Sequence, residues 1–342
     1  MTRQQAVAAA PARIADTVTG PPPAGTATIG VDIGGTKTRA GLVLPGGRAE
    51  LIATVPTPAT AGPAAVIAAV LGLVHQVRQE ADTAGLPAPG AIGIGSAGVI
   101  SPRSGSVLAA TGHIAGWAGT PLAARVAQAS GLPTRALNDV HAHALGEARY
   151  GAGQDLPVVL VVAAGTGVGG ALVIDGIPQT GADGVAGHLG HVPAEEAHGL
   201  SCSCGRTGHL ESVASGPGLL ARYRQRGGYA ADAREVVDAA GHGEPLAGEC
   251  LALAGRALGR AAGGWINMVN PDAVVVTGGL AQAGKLWWSA LRQGACEQCV
   301  DLVRSCPIRA AQTGPHAAIL GAAEFAGMTR HPANAEGGHR DG

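Results

Sequence analysis

Two stretches of this chain share one plan, and that plan limits the fold more than any other feature. Residues 29–43, IGVDIGGTKTRAGLV, run from an apolar strand through a Gly-Thr turn into a second apolar strand. Residues 161–176, VVAAGTGVGGALVIDG, do the same. Apolar runs on both sides of a glycine turn predict a β-hairpin. Two copies of one supersecondary unit predict an internal repeat, two similar halves facing each other. A length of 342 residues also favours two domains over one.

The remaining pattern alternates strand and helix. Residues 63–84 predict a helix, 91–101 a buried strand, and 120–131 a helix stopped by Gly131. Residues 133–151 predict a short strand that runs into a helix at Asn138-Asp139, two good N-cap types. Helical sequence fills 210–268 and 280–300, parted by a strand over 272–280, and 315–327 is a last helix. The leader, residues 1–26, is rich in Ala, Pro and Thr and reads as disordered, as does the tail after 327.

Composition removes several function classes. The net charge is −1, so no basic field attracts nucleic acid. No apolar run reaches the ~18 residues that a bilayer span needs. The N-terminus has no basic patch followed by an apolar segment, so it is no signal peptide. Six cysteines in a chain this long do not form a secreted disulfide framework. A cytoplasmic protein with a thiolate metal site is the expectation.

Three groups of residues carry chemistry. A phosphate chain needs several backbone N–H groups at close range, and a β-carbon obstructs that approach. Gly34, Gly35, Thr36 and Lys37 offer such a cradle, with Asp32 as a carboxylate for a Mg²⁺ water. Gly165, Thr166, Gly167 and Gly169 offer a second. Neither matches the P-loop or the dinucleotide fingerprint. A plain tight turn explains each alone; the pair favours a nucleotide between two lobes. Asp139 at a strand-to-helix junction reads as a cap, or as a general base at the mouth of a cleft. The third group is GHLGHVPAEEAHGLSCSCGRTGHLE, residues 187–211. His191, Cys202, Cys204 and His209 form a donor set suited to tetrahedral Zn²⁺, with His198 as an alternative ligand. No open position is evident, so the metal is structural. Cys296, Cys299 and Cys306 have no adjacent histidine and read as partly buried, unliganded thiols.

In this order the pieces resemble the ROK family of sugar kinases and repressors. The matching motifs are DIGGTKTRAG (32–41), GIGSAG (93–98), NDVHAHALGE (138–147), VAAGTGVGGALVIDG (162–176), residues 187–211, VVVTGGL (274–280) and ILGAA (319–323). The resemblance covers about residues 27–327. It implies an actin-like (ribonuclease H-like) α/β fold with two lobes and a cleft. The small lobe would be 27–137 with helix 315–327 packed back on it, and the large lobe 138–314. It implies ATP between the two glycine hairpins, with Gly278 and Gly279 under the adenosine. Sugar contacts fall on Gly98, Asn138, Asp139, His191 and Glu211, and Asp139 becomes the base for the sugar 6-hydroxyl. Magnesium would neutralise the phosphates, and the protein would be a homo-oligomer, a dimer or tetramer. Zinc would fold the loop that carries His191 and Glu211.

Three departures from the family pattern matter, and the last two bear on the sugar. The third family cysteine is His209 here, which implies a His₂Cys₂ site. Family glucokinases usually have Glu where this chain has His188, and some N-acetylmannosamine kinases have His. A neutral His can donate a hydrogen bond, for example to an acetamido carbonyl. In the sugar loop, His113 stands before Trp117 where glucokinases often have Asn, with Thr111 nearby. The last two changes argue against a plain glucose kinase, and N-acetylmannosamine is favoured; glucose, N-acetylglucosamine and kanosamine are the alternatives. Family repressors carry a helix-turn-helix before the first hairpin. The 31 residues before Asp32 are too short for one.

Overall fold

The computed structural model describes residues 25–110 and 112–328. The expected leader and tail fall almost wholly outside these residues, and Thr111 lies outside them too.

Strand β1 (Thr28–Ile33) turns into β2 (Lys37–Leu44) and then β3 (Arg48–Pro56). Helix α1 (Pro63–Thr83) starts on a proline at its first position, where no N–H is missed. Strand β4 (Ala91–Ser96) follows, then a small ribbon of β5 (Val99–Ile100) and β6 (Val107–Ala109). The expected single strand over 91–101 is thus broken. Gly98, at φ +99°, turns the chain between β4 and β5. Helix α2 (Leu122–Ser130) ends on left-handed Gly131. Strand β7 (Thr134–Asn138) runs directly into α3 (Asp139–Tyr150).

The second half repeats the plan. Strands β8 (Val158–Ala164) and β9 (Val168–Ile174) form the second glycine hairpin, extended by β10 (Ile177–Pro178). Four helices then stand where one helical stretch was expected: α4 (Glu211–Ala214), α5 (Gly216–Gln225), α6 (Ala233–Gly241) and α7 (Pro245–Val269). Strand β11 (Ala273–Thr277), α8 (Lys285–Gln298), β12 (Ile308–Ala310) and α9 (Ala317–Gly327) complete the chain.

The sheets have orders β3-β2-β1-β4-β7 and β10-β9-β8-β11-β12. In each, three antiparallel strands precede two parallel ones. The repeat read from the two hairpins is therefore a repeat of the whole sheet.

Helices α3 and α9 lie between the sheets, and strand alternation shows why. Val159 and Val161 of β8 pack with Ala144 and Leu145 of α3, whereas Leu160 and Val162 face the core beneath α7 and α8. In the first sheet, Ile29, Val31, Ile92 and Ile94 face the core formed with α1 and α2. The opposite face is built on glycine, because α9 lies directly on it. A Cβ on Gly30 would stand 2.0 Å from the Ile319 carbonyl oxygen, and one on Gly93 1.7 Å from that of Ala322. Helix α9 thus completes the first sheet. No helix of the described residues is long and apolar enough to cross a membrane.

Candidate active site

Asn138 caps α3. Its Oδ1 accepts from the N–H groups of Val140 (2.9 Å) and His141 (3.3 Å), while its Nδ2 donates to the Gly98 carbonyl (3.0 Å). The cap is therefore Asn138 and not Asp139. One of the Asp139 carboxyl oxygens shares the Val140 N–H at 2.9 Å. Burial raises the Asp139 pKa above the usual carboxylate range; the Val140 N–H opposes this, and the like charge of Asp32 adds to it.

A cavity of about 350 Å³ joins Asn138 and Asp139 to Gly165, Thr166, Gly167 and Gly169 of the second hairpin, and to Gly278. His188, His191 and Glu211 line the same cavity. Gly279 begins the 3₁₀ turn that follows β11. The first hairpin opens on a separate hollow lined by Asp32, Gly34, Gly35, Thr36 and Lys37. Asp32, in that hollow, acts on Asp139 through its like charge.

Glu211, first residue of α4, bridges two loops. Its Oε2 accepts from the Val168 N–H at 2.9 Å, and its Oε1 from the Ser203 hydroxyl. It therefore ties the second glycine turn to the cysteine loop. Each oxygen keeps a lone pair for a ligand.

That loop is closed on itself. Pro193 bridges His209, Ser201 bridges Thr207, and Cys202 donates its N–H to Arg206 at 2.7 Å. Ligand atoms of His191, Cys202, Cys204 and His209 all lie within 4.8 Å of one another. Cys202 Sγ stands 3.6 Å from His191 Nδ1, and Cys204 Sγ 3.2 Å from His209 Nδ1. Two imidazoles and two thiols at these separations fit a tetrahedral metal. The set closes without His198, which lines a neighbouring hollow. Cys296, Cys299 and Cys306 line another cavity. Burial raises the thiol pKa of Cys299 and Cys306.

His188 differs from expectation in one respect. Its Nδ1 lies 2.8 Å from the Val185 carbonyl oxygen, so that nitrogen carries the proton. A neutral His188 then offers Nε2 as an acceptor, not a donor. The sequence reading had it donate to an acetamido carbonyl; the geometry suits it to accept from a hydroxyl or an amide N–H.

Sequence reasoning missed several residues. Arg39 pairs with Asp32 at 2.6 Å and donates to the Pro315 carbonyl at 2.7 Å. The two face each other across the hairpin, so the register would have shown the pair. His143 Nε2 stands 3.0 Å from Thr277 Oγ1, just before Gly278. His141 is buried, and burial lowers its pKa to about 4. Trp117 anchors its own loop by donating its indole N–H to Ser96 Oγ at 3.1 Å.

Two α/β lobes of repeated topology, with a cleft at the strand ends, define the actin-like sugar-kinase fold. The chain belongs to the ROK family, whose profile matches residues 28–328. The glucokinase of Thermotoga maritima is 33% identical over 314 residues, covering 87% of this chain and 96% of that protein. The N-acetylmannosamine kinase of Escherichia coli is 38% identical over 235 residues, 68% of this chain and 76% of that one. The crystal structure of a ROK family glucokinase from Streptomyces griseus, in complex with glucose and AMPPNP, aligns with a TM-score of 0.73 at 32% identity. It covers 87% of this chain and 98% of its own.

Proposed function

We propose that this ATP-dependent sugar kinase phosphorylates the 6-hydroxyl of a hexose or hexosamine, with N-acetylmannosamine favoured. The observation that supports it is the meeting of Asp139 with His188, His191, Glu211 and the second glycine hairpin in one cavity.

Asp139 takes the proton of the 6-hydroxyl as that oxygen attacks the γ-phosphorus. The bond from phosphorus to the β,γ-bridging oxygen breaks, and ADP leaves. A carboxyl whose proton affinity is raised by burial is a stronger base. Asn138 holds the Gly98 turn against that helix end and so fixes one wall of the sugar pocket. The transition state of phosphoryl transfer is loose, so positioning supplies most of the acceleration.

The glycine hairpins, Gly34 to Lys37 and Gly165 to Gly169, would hold the phosphates, and Gly278 and Gly279 would hold the adenosine. Asp32 would hold magnesium, which supplies charge neutralisation for the phosphates; one carboxylate plus substrate oxygens is that ion's usual donor set. His191, Cys202, Cys204 and His209 would hold a structural zinc, which supplies folding energy to the loop. His191 and Glu211 then face the sugar from that loop. His188 Nε2 accepts from the sugar near carbons 1 and 2, where a 2-acetamido group has an N–H to give.

The test is ADP release with ATP, Mg²⁺ and a panel of N-acetylmannosamine, glucose, N-acetylglucosamine, mannose and kanosamine. Preference for N-acetylmannosamine is expected. A preference for glucose would keep the mechanism and reject the role given to His188. No turnover with any sugar would reject the kinase reading for these substrates.

A further inference from the structure

Glu147 is fully buried and lines no cavity named above. It sits on α3, eight residues beyond Asp139, about 12 Å along the helix axis. A buried carboxylate is costly unless donors surround it. Here Oε2 accepts from the Ala152 N–H at 3.0 Å and the Gln312 N–H at 3.0 Å. Oε1 accepts from the Thr313 N–H at 2.8 Å, from the Gln312 N–H at 3.1 Å, and from the Thr313 hydroxyl.

The location of these donors gives them meaning. The chain passes between the sheets on two paths. One leads from β7 through α3 to β8, and Ala152 lies on it. The other leads from β12 to α9, and Gln312 and Thr313 lie on it. A single carboxylate therefore grips both crossings. Gly151 leaves it room, since a Cβ there would stand 2.2 Å from Glu147 Oε2. The second crossing also reaches the phosphate hairpin, because Arg39 donates to the Pro315 carbonyl while pairing with Asp32.

We propose that Glu147 is a positioning residue for phosphoryl transfer: by holding both interlobe crossings with one carboxylate, it sets the angle between the lobes and so the registration of Asp139 with the phosphate donor. It touches neither substrate. Its effect on rate rests on the kinase reading above; its effect on lobe geometry does not.

Glu147→Gln keeps the size but sets an NH₂ against N–H donors, which breaks at least one of the grips. The folded variant is expected to exchange the amide protons of Ala152, Gln312 and Thr313 at least ~10-fold faster. Its kcat should fall ~10–100-fold, the loss typical of a small misplacement of reacting groups, with circular dichroism unchanged at the assay temperature. Small-angle scattering of the unliganded protein should show a radius of gyration different from that of the wild type. A variant that loses thermal stability yet keeps wild-type kcat and KM would overturn the proposal and leave Glu147 a structural residue only. If Glu147→Gln does not fold, Thr313→Val removes just the hydroxyl donor. It should lower kcat by ~3–10-fold, and an unchanged kcat in that folded variant would overturn the proposal equally. Should the wild type turn over none of the sugars, scattering and amide exchange still decide on lobe geometry, with identical profiles for wild type and variant counting against it.

Discussion

Replacing Asp139 with Asn separates the chemistry of the site from its shape. The amide is isosteric and keeps an oxygen for the Val140 N–H, which the native carboxylate shares at 2.9 Å with the cap of Asn138. The cap and the Gly98 contact should persist, so sugar affinity should stay within a few-fold. What disappears is the proton acceptor. General-base catalysis contributes ~10²–10⁴-fold, so kcat should fall by that factor, about 3–5 kcal/mol of barrier at 1.36 kcal/mol per decade. The pH profile adds a second test. Burial lifts the Asp139 pKa, so the wild-type rate should rise with pH through a value above the usual carboxylate range. The variant should lack that limb. Stability must move the opposite way. An acid with a raised folded-state pKa favours the fold below its unfolded value, and this contribution is lost as pH rises through the folded pKa. Asp139→Asn should therefore unfold at a higher temperature than the wild type at pH 7–8, and the gap should close near pH 4. The assays are coupled ADP release, calorimetric sugar titration and thermal melts across pH. A variant within tenfold of the wild-type kcat would remove Asp139 as the base.

Three further outcomes follow from the geometry. Cys204→Ser removes one of four convergent donors, so bound metal measured by mass spectrometry should fall well below one per chain; sugar should bind ~10-fold more weakly, and unchanged affinity would mean that the loop holds its shape unaided. His188→Glu should shift the kcat/KM ratio of glucose to N-acetylmannosamine by about tenfold towards glucose; an unchanged ratio would place sugar selection elsewhere. Gly93→Ala drives a methyl into the Ala322 carbonyl and should cost about 2–3 kcal/mol in denaturant unfolding, whereas a neutral result would show that α9 shifts freely on the sheet.

Local signals in the sequence were enough to find the hairpins, the strand-to-helix junction at Asn138-Asp139, though not which of the two caps it, and the four convergent His and Cys donors, because each depends on residues within about twenty positions of one another. The stretch 210–268 shows what a hydrophobic pattern leaves out. Its helices break at Gly227-Gly228 and at Gly243, with φ of +93° and +88° at Gly227 and Gly243. Asp232 and Pro245 restart them, Asp232 through its bonds to Arg234 and Glu235. Those start and stop signals were present, and apolar periodicity masked them. The bonds of Arg39 to Pro315 and of Glu147 to Thr313 are different. They span 276 and 166 residues, and no local pattern encodes a partner that far away. The proton on His188 Nδ1 likewise depends on how the 185–188 turn closes.

The packing of α9 on Gly30 and Gly93 also fixes an order of assembly. The sheet beginning at Thr28 has all its strands once Asn138 is made, and α3 then covers it at Gly95, yet the face at Gly30 and Gly93 stays uncovered until residues 317–327 follow. At ~5–20 residues per second, the ribosome needs roughly 10–40 s to bridge that interval. The lobe begun first is therefore finished last. Until then the face at Gly30 and Gly93 lacks the helix that covers it in the folded protein.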